Sequence, residues 1–328
     1  SDEKWDSDIV YAVLKGEYEK NIMKVLEGKN GVLNHDLLTK DEMNSAPFPY
    51  YDNNIFDKYF DGNPIPMNVL YPQAHIWSSR GCPFKCIFCV WPAAMTGNDP
   101  HGDGKRSVRQ YTPDYIESFI KELTGKYKFK AIYFDDDTFN IGNRHTEKMS
   151  DVMSKFDIPW FAMCRADTSK KETWKKMADS GCKGVKIGVE SGSQVVVDKI
   201  VNKHLDLKYV QEIVSHIRSL DMSVHGTFTY GLPGEKKEQM IETKEFINQI
   251  NTFRDEFGTL HHPNYQFQVM GEAAYSPDGI KQLADLGATE VIVAFRNAYE
   301  GGPDNRTLDG MIAEINWYAE EVISKVRV

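Results

Sequence analysis

The segment Arg80-Gly81-Cys82-Pro83-Phe84-Lys85-Cys86-Ile87-Phe88-Cys89 carries three thiols at spacings of four and three residues. A tight loop with a glycine and a proline lets three sulfurs converge, as a cubane iron–sulfur cluster requires of its ligands. A closed electron-transfer cluster normally takes four protein thiolates, yet only three are grouped here, and Cys164 and Cys182 stand alone. Three ligands leave one iron open to a small molecule, which separates a reaction centre from an electron wire. Two plainer readings compete. Zinc would recruit a fourth ligand such as His75 or His101, and three unligated thiols would need no metal.

A thiol loop acts only where rigid elements carry it. The 328 residues hold 39 Lys and Arg against 48 Asp and Glu, a net charge of −9, with 41% hydrophobic and 27% charged residues. That is a globular balance, and the length suits one large barrel or two modest domains. After Tyr71, apolar β-prone runs alternate with amphipathic stretches, the pattern of βα units on a parallel sheet. Strands are expected at 75–80, 131–134, 160–166, 185–189, 223–230 and 265–269, with 289–295 a seventh candidate. Helix starts are expected at Thr112-Pro113 and Ser276-Pro277, each an N-cap with an N1 proline, and at Ser169 with Glu172, a capping box. Residues 9–26 have helical spacing, and 46–52 form a proline-braced connector. The last helix, about 306–325, lines Leu308, Met311, Ile312, Ile315, Ala319, Val322 and Ile323 along one stripe. The expected architecture is α/β, a partial (β/α)6 TIM-like barrel over 71–258 with a helical lead-in at 1–70 and a βα extension at 259–328. Chemistry in such folds gathers at the C-terminal strand ends.

Several candidates fall at those ends. Asp135, Asp136 and Asp137 close the second strand, where adjacent acids repel unless a cation is near; a solvated loop with a capping Asp is the plainer reading. Arg165 ends the third strand, and its fork suits a carboxylate or an ion pair with Glu190 or the Asp run. Glu190 ends the fourth strand after Gly188 and could accept hydroxyls or an ammonium, or could simply be an exposed acid. Ser193 reads as a helix start. Thr227 and Tyr230 lie in the fifth strand before Gly231-Leu232-Pro233-Gly234-Glu235, which lacks the Gly-Lys-Ser/Thr of a phosphate loop. Cys164 and Cys182 read as buried small hydrophobes. His261 and His262 read as exposed loop residues, Lys203 and His204 as a solvated link, and Lys170, Lys171, Lys175 and Lys176 as an outer surface.

The Cys-x3-Cys-x-aromatic-Cys loop after a first barrel strand resembles the radical S-adenosylmethionine (SAM) superfamily. The frame from about His75 to Ile250 is similar to its cobalamin-associated branch, through Arg80–Cys89, Phe134-Asp135-Asp136-Asp137-Thr138-Phe139, Cys164-Arg165-Ala166-Asp167, Gly188-Val189-Glu190-Ser191-Gly192-Ser193 and Gly231–Glu235. The resemblance implies a [4Fe–4S] cluster on Cys82, Cys86 and Cys89, with SAM chelating the fourth iron. It implies reductive SAM cleavage that starts methylation, cyclisation or rearrangement of a small-molecule or natural-product-like substrate. Phe88 would pack near the adenine, Asp135 or Asp136 would hold the methionine amino group, Arg165 its carboxylate, and Glu190 the ribose or ammonium, with Thr227 and Tyr230 flanking the adenine. A flavodoxin- or ferredoxin-type electron donor is implied. Cobalamin is a further cofactor of that branch, but its Asp-x-His-x-x-Gly loop is absent and residues 1–30 look like the exit from such a domain. The stretch after Tyr265 departs from the family pattern.

The acidic total argues against broad nucleic-acid binding, and no apolar run approaches the ~18 residues of a membrane span. Five cysteines do not make a disulfide scaffold, no secretory leader pattern is seen, and the cytoplasm is the expected location. A methylthiotransferase-like RNA-modifying enzyme would want a second cluster and a basic tail; a non-catalytic iron–sulfur or zinc module would lack SAM cleavage. Replacing any one of Cys82, Cys86 or Cys89 by Ala is expected to abolish cluster loading with the fold retained, measured by iron content and circular dichroism. Loss of loading in Cys164→Ala would overturn the ligand assignment.

Overall fold

The computed structural model describes residues 10–33, 37–52, 72–89, 108–127, 129–256, 267–293 and 307–326. His101, His261 and His262 lie outside them. The chain divides into two compact units, Ser1–Glu256 and Phe257–Val328.

In the first unit, β3 (Gln73–Ile76), β6 (Ala131–Phe134), β7 (Trp160–Cys164), β8 (Cys182–Glu190) and β9 (Ser223–Phe228) form one five-stranded sheet in that order. Every neighbouring pair is parallel. The crossover helices are α3 (Pro113–Lys126), α4 (Asn143–Met153), α5 (Lys171–Asp179) and α6 (Leu207–Ser219), and α7 (Lys237–Glu256) follows β9. Alternation along the strands sends Ile132, Phe134, Trp160, Ala162, Val185 and Ile187 into the main core with these helices, while Ala131, Tyr133 and Phe161 form a separate cluster. This is the expected α/β fold, with one correction. The sixth strand, β10 (Gln268–Met270), pairs with β11 (Glu290–Ile292) in the second unit and not with the main sheet.

Several elements differ from their sequence pattern for local reasons. The helical spacing at 9–26 resolves into β1 (Ala12–Leu14) and α1 (Glu19–Leu26), because β1 finds a parallel partner in β2 (Gly31–Leu33). The strand expected at 75–80 is broken. After Ile76 the chain leaves the sheet, and β4 (Ser79–Arg80) pairs antiparallel with β5 (Arg109–Gln110). β7 stops at Cys164 because the Arg165 N–H donates to Asn140 Oδ1 at 2.8 Å. The capping box at Ser169 does not form. Its hydroxyl donates to the Asn140 carbonyl at 3.3 Å, and Lys170 occupies the N-cap of α5. The two Pro-marked caps do form, with Thr112 accepting from Tyr115 N–H at 3.3 Å and Ser276 from Gly279 N–H at 3.1 Å.

A buried carboxylate ties the lead-in to this ribbon. Glu17 accepts from Leu38 N–H at 2.7 Å and from Arg109, and lies 3.4 Å from Arg80 Nη1. Burial pushes its carboxyl up, but the Arg109 and Leu38 bonds outweigh that and hold it below the usual range. Helix α2 (Lys40–Ser45) carries a capping box at Thr39 and Glu42. The second unit also contains α8 (Pro277–Asp285) and α9 (Leu308–Tyr318), pinned where Tyr318 donates to the Ala274 carbonyl at 2.7 Å. Its final stripe is mostly exposed: Val322 is buried, but Leu308, Ile312 and Ile315 are not.

Asp136 causes the break in the first strand. Its carboxylate accepts from Ser78 N–H at 3.0 Å, the Ser78 hydroxyl at 2.8 Å and the Ser79 hydroxyl at 2.5 Å. His145 Nε2 lies 3.1 Å from the Ser78 hydroxyl. Burial lifts Asp136 from 3.8 to about 6 and presses His145 from 6.5 to about 4. Between about pH 4 and 6 the folded chain keeps the Asp136 proton that the unfolded chain releases, so this contribution to stability falls as pH rises. Over about pH 4 to 6.5 the unfolded chain holds a His145 proton that the folded chain lacks, so that contribution rises with pH. Each is at most about 3 kcal/mol, and they oppose. Relative to wild type, Asp136→Asn should lose Tm on acidification across this window, and His145→Gln should gain it, in scanning calorimetry. Superimposable pH profiles for all three proteins would refute the opposed pair.

Candidate functional site

The cysteine loop leaves β4 at the C-terminal rim of the sheet and is held from three sides. Gly81 turns it at φ 92°, a backbone conformation that favours glycine, and its N–H donates to Asp137 Oδ2 at 3.0 Å. Cys82 is buried, with its sulfur 3.6 Å from Thr138 Oγ1. The Phe84 ring lies under the Arg165 guanidinium, 3.8 Å from Cζ to the ring centroid, a cation–π contact. Asn202 Nδ2 donates to the Lys85 carbonyl at 3.1 Å, and Ile87 N–H donates to the Val201 carbonyl at 3.0 Å. A Cys89 N–H to Cys86 carbonyl bond of 3.1 Å closes the last turn.

The supporting residues come from the ends of successive strands. Arg165 is buried and grips Asp167 through two nitrogens, Nε to Oδ1 at 2.7 Å and Nη2 to Oδ2 at 2.9 Å. Nη2 also donates to the Lys203 carbonyl at 2.7 Å, while Nη1 is buried with no partner among the described residues. The ion pair is thus with Asp167 and not with Glu190 or the Asp run. Glu190 sits in the left-handed region at φ 74°, beyond a bulge in the β8–β9 ladder. It is held there by a buried bridge to Lys203 Nζ at 2.8 Å, and the same ammonium donates to the Gly188 carbonyl at 2.7 Å. A Cβ at Gly188 would stand 2.3 Å from Glu190 Oε1, so only glycine leaves room for this pair.

The three adjacent acids part company. Asp136 turns inward to the serines and Asp137 holds Gly81, while Asp135 stays at the rim, its side chain 41% exposed and Oδ2 3.7 Å from His75 Nδ1. Asp135 is therefore the candidate free to meet a ligand. Phe88 and Tyr230 are exposed, and Thr227 pairs with Gly188 in the β8–β9 register. Lys203, expected as a solvated link, is buried; His204 is exposed. Phe84, Asn202 and Thr138 carried no sequence signal beyond their position in or near the quoted motifs. Cys164 and Cys182 are buried, and burial pushes the Cys182 thiol up to about 12. The helix α5 lysines face outward, Lys171 to Glu212, Lys175 to Asp179 and Lys176 to Asp151.

All five cysteines are free thiols, and among the described residues no three His, Cys, Asp or Glu side chains are preassembled as a metal-holding group. The donor set nevertheless fits an iron–sulfur cluster. Three reduced thiols sit on one loop that is pinned by its backbone. Burial raises the Cys86 thiol, against the pull of Lys203 and Arg165, with Cys82 and Glu190 adding to the rise. Those two cations are the charges an anionic thiolate–iron group would need nearby.

A sequence profile of the radical SAM superfamily matches residues 78–247. The chain is 28% identical over 255 residues to an uncharacterized methyltransferase of Pyrococcus horikoshii, covering 74% of this chain and 50% of that one. It is 26% identical over 221 residues to the cytidylyl-2-hydroxyethylphosphonate methyltransferase of Streptomyces wedmorensis, covering 63% and 39%. The chain thus spans half or less of the length of these relatives. Among solved structures, the cobalamin-dependent S-adenosylmethionine radical enzyme OxsB with aqua-cobalamin bound is 20% identical, with a TM-score of 0.45 over 54% of this chain and 26% of that one.

Lys203→Met should leave the Glu190 carboxylate buried and unpaired at a cost of about 3–5 kcal/mol. Adding Glu190→Gln should recover most of that loss in urea unfolding. Additive losses in the double variant would show that the two side chains are not coupled.

Proposed function

The chain belongs to the radical SAM superfamily, and on that premise we propose that it holds a [4Fe–4S] cluster through Cys82, Cys86 and Cys89 and cleaves SAM reductively. When bound, the cluster and SAM supply one-electron cleavage of a carbon–sulfur bond, giving methionine and a 5′-deoxyadenosyl radical that abstracts hydrogen from substrate. The observation that carries the proposal is the clamped loop of three free thiols, with its Phe84 under Arg165 and its Cys86 in the field of Lys203, Arg165 and Glu190.

The protein's share is binding and orientation. Arg165, already fixed by Asp167, offers its remaining Nη1 to the methionine carboxylate. Asp135 takes the amino group, since Asp136 and Asp137 are spent on the loop backbone and serines. Glu190 commits Oε1 to Lys203 and directs its other oxygen to a ribose hydroxyl. Phe88, Thr227 and Tyr230 flank the adenine. The Arg165–Phe84 contact sets the distance between loop and rim, so that ligand and thiols are oriented together.

The substrate is read as a small molecule, with a flavodoxin- or ferredoxin-type protein as electron donor. The relatives' names favour methyl transfer among the reactions of the superfamily, with cobalamin as methyl carrier; no residue here is assigned to hold that group. Among the described residues no helix is long and apolar enough to cross a membrane.

Anaerobic reconstitution with iron and sulfide should give a brown protein, and SAM with a strong reductant should then release 5′-deoxyadenosine, detected by liquid chromatography and mass spectrometry. A colourless zinc protein, or a fully iron-loaded one that releases no nucleoside, would overturn the proposal. Arg165→Ala should raise the KM for SAM, because one charged hydrogen bond to a carboxylate contributes about 1.5–3 kcal/mol.

A further inference from the structure

Away from the thiol loop, a cavity of about 420 Å³ opens between α2, the turn after β5 and the first turns of α4. Its walls are tied together. Asn44 Oδ1 accepts from Thr112 N–H at 2.6 Å and from its hydroxyl at 2.9 Å, which seats α2. Gln110 Nε2 donates to the Ile141 carbonyl at 3.3 Å, which closes the opposite side. Lys40 lines the cavity from α2, and Arg144 and Lys148 line it from α4. None of these three cations has an ion-pair partner among the described residues, and Glu42, two residues along α2 from Lys40, is taken by Lys20 at 2.9 Å.

We propose that this cavity is a binding site for the phosphate group of a small phosphate monoester, held by Lys40, Arg144 and Lys148. The residues lining the cavity include three cations and no acid, so a dianion bound there would meet only opposite charges. A phosphate monoester brings close to two negative charges and three acceptor oxygens, matching a guanidinium fork and two ammonium groups. Gly142 gives α4 no side-chain cap, and while the His145 and Thr146 N–H groups donate to its carbonyl, those of Asn143 and Arg144 have no intrahelical acceptor. His145 reports the local field. Burial holds its imidazole neutral, and the charges of Lys148 and Lys40 push the same way. An open pocket of this size with three cations on its walls suits a single phosphate. A nucleic-acid backbone would need an extended basic track, and the chain carries a net charge of −9.

Titration calorimetry of the full chain with phenyl phosphate, at ionic strength fixed with sodium chloride, tests the site. One saturable site is expected, weakened about tenfold or more in Arg144→Ala/Lys148→Ala and unchanged in Lys183→Ala/Lys208→Ala, which removes two exposed lysines elsewhere. Both variants alter exposed side chains and should keep the wild-type Tm. Non-saturable uptake, or equal affinity in wild type and Arg144→Ala/Lys148→Ala, would overturn the site. Binding of inorganic phosphate as tight as phenyl phosphate would overturn the ester as its ligand.

Discussion

The fold around the thiols depends on one buried carboxylate. Asp136 collects three hydrogen bonds from two consecutive serines and so prevents the first strand from running on past Ile76. A strand that continued would keep pairing with β6 and carry the cysteines along the sheet. Diverted instead, the chain makes a short ribbon with β5 and delivers Gly81 to Asp137, one residue further along the same acidic run. Desolvating a carboxylate is costly, and donors that are themselves fixed in the core offset part of that cost, leaving the carboxyl raised. Scaffold and candidate site therefore draw on neighbouring members of one motif, Asp136 and Asp137 spent on the scaffold and Asp135 left at the rim.

Much of this arrangement is legible in the sequence because it is local. The thiol spacing, the alternation of strands and helices, the Thr112 and Ser276 caps and the burial of Cys164 and Cys182 follow from short-range pattern and hydropathy. What escapes the sequence is long-range competition for hydrogen bonds. Ser169 has the spacing of a capping box, but Asn140 takes its hydroxyl and leaves Lys170 at the helix start. Which of three adjacent acids faces outward depends on Ser78 and Ser79, 58 and 57 residues away. Lys203 reads as a surface lysine until Glu190 and Gly188 are brought beside it. A strict alternation also misassigned 265–269, since periodicity identifies a strand without naming the sheet it joins.

The rim concentrates charge in pairs that are each nearly closed. Among the described residues, Arg165 with Asp167 and Lys203 with Glu190 leave one guanidinium nitrogen and one carboxylate oxygen without a hydrogen-bond partner. Such half-satisfied groups are rigid because their other bonds are already made, and a ligand that completes them needs little reorganisation. The left-handed backbone at Glu190 belongs to the same logic, as a strained conformation that persists because Lys203 and the bulge over-determine it.

The Glu17 network gives the lead-in a standing that its short elements would not suggest. Glu17 pairs with Arg109 and, together with Glu19 at 2.7 Å, faces Arg80, so the lead-in supplies counter-charge to both strands of the ribbon that feeds the cysteines. A shortened chain starting after α1 would strand Arg80 and Arg109 side by side without their counter-charge, and the ribbon would splay under its own electrostatic pressure. The amino-terminal βαβ unit is thus a brace for the cysteine loop, and any trimming of this chain should spare it.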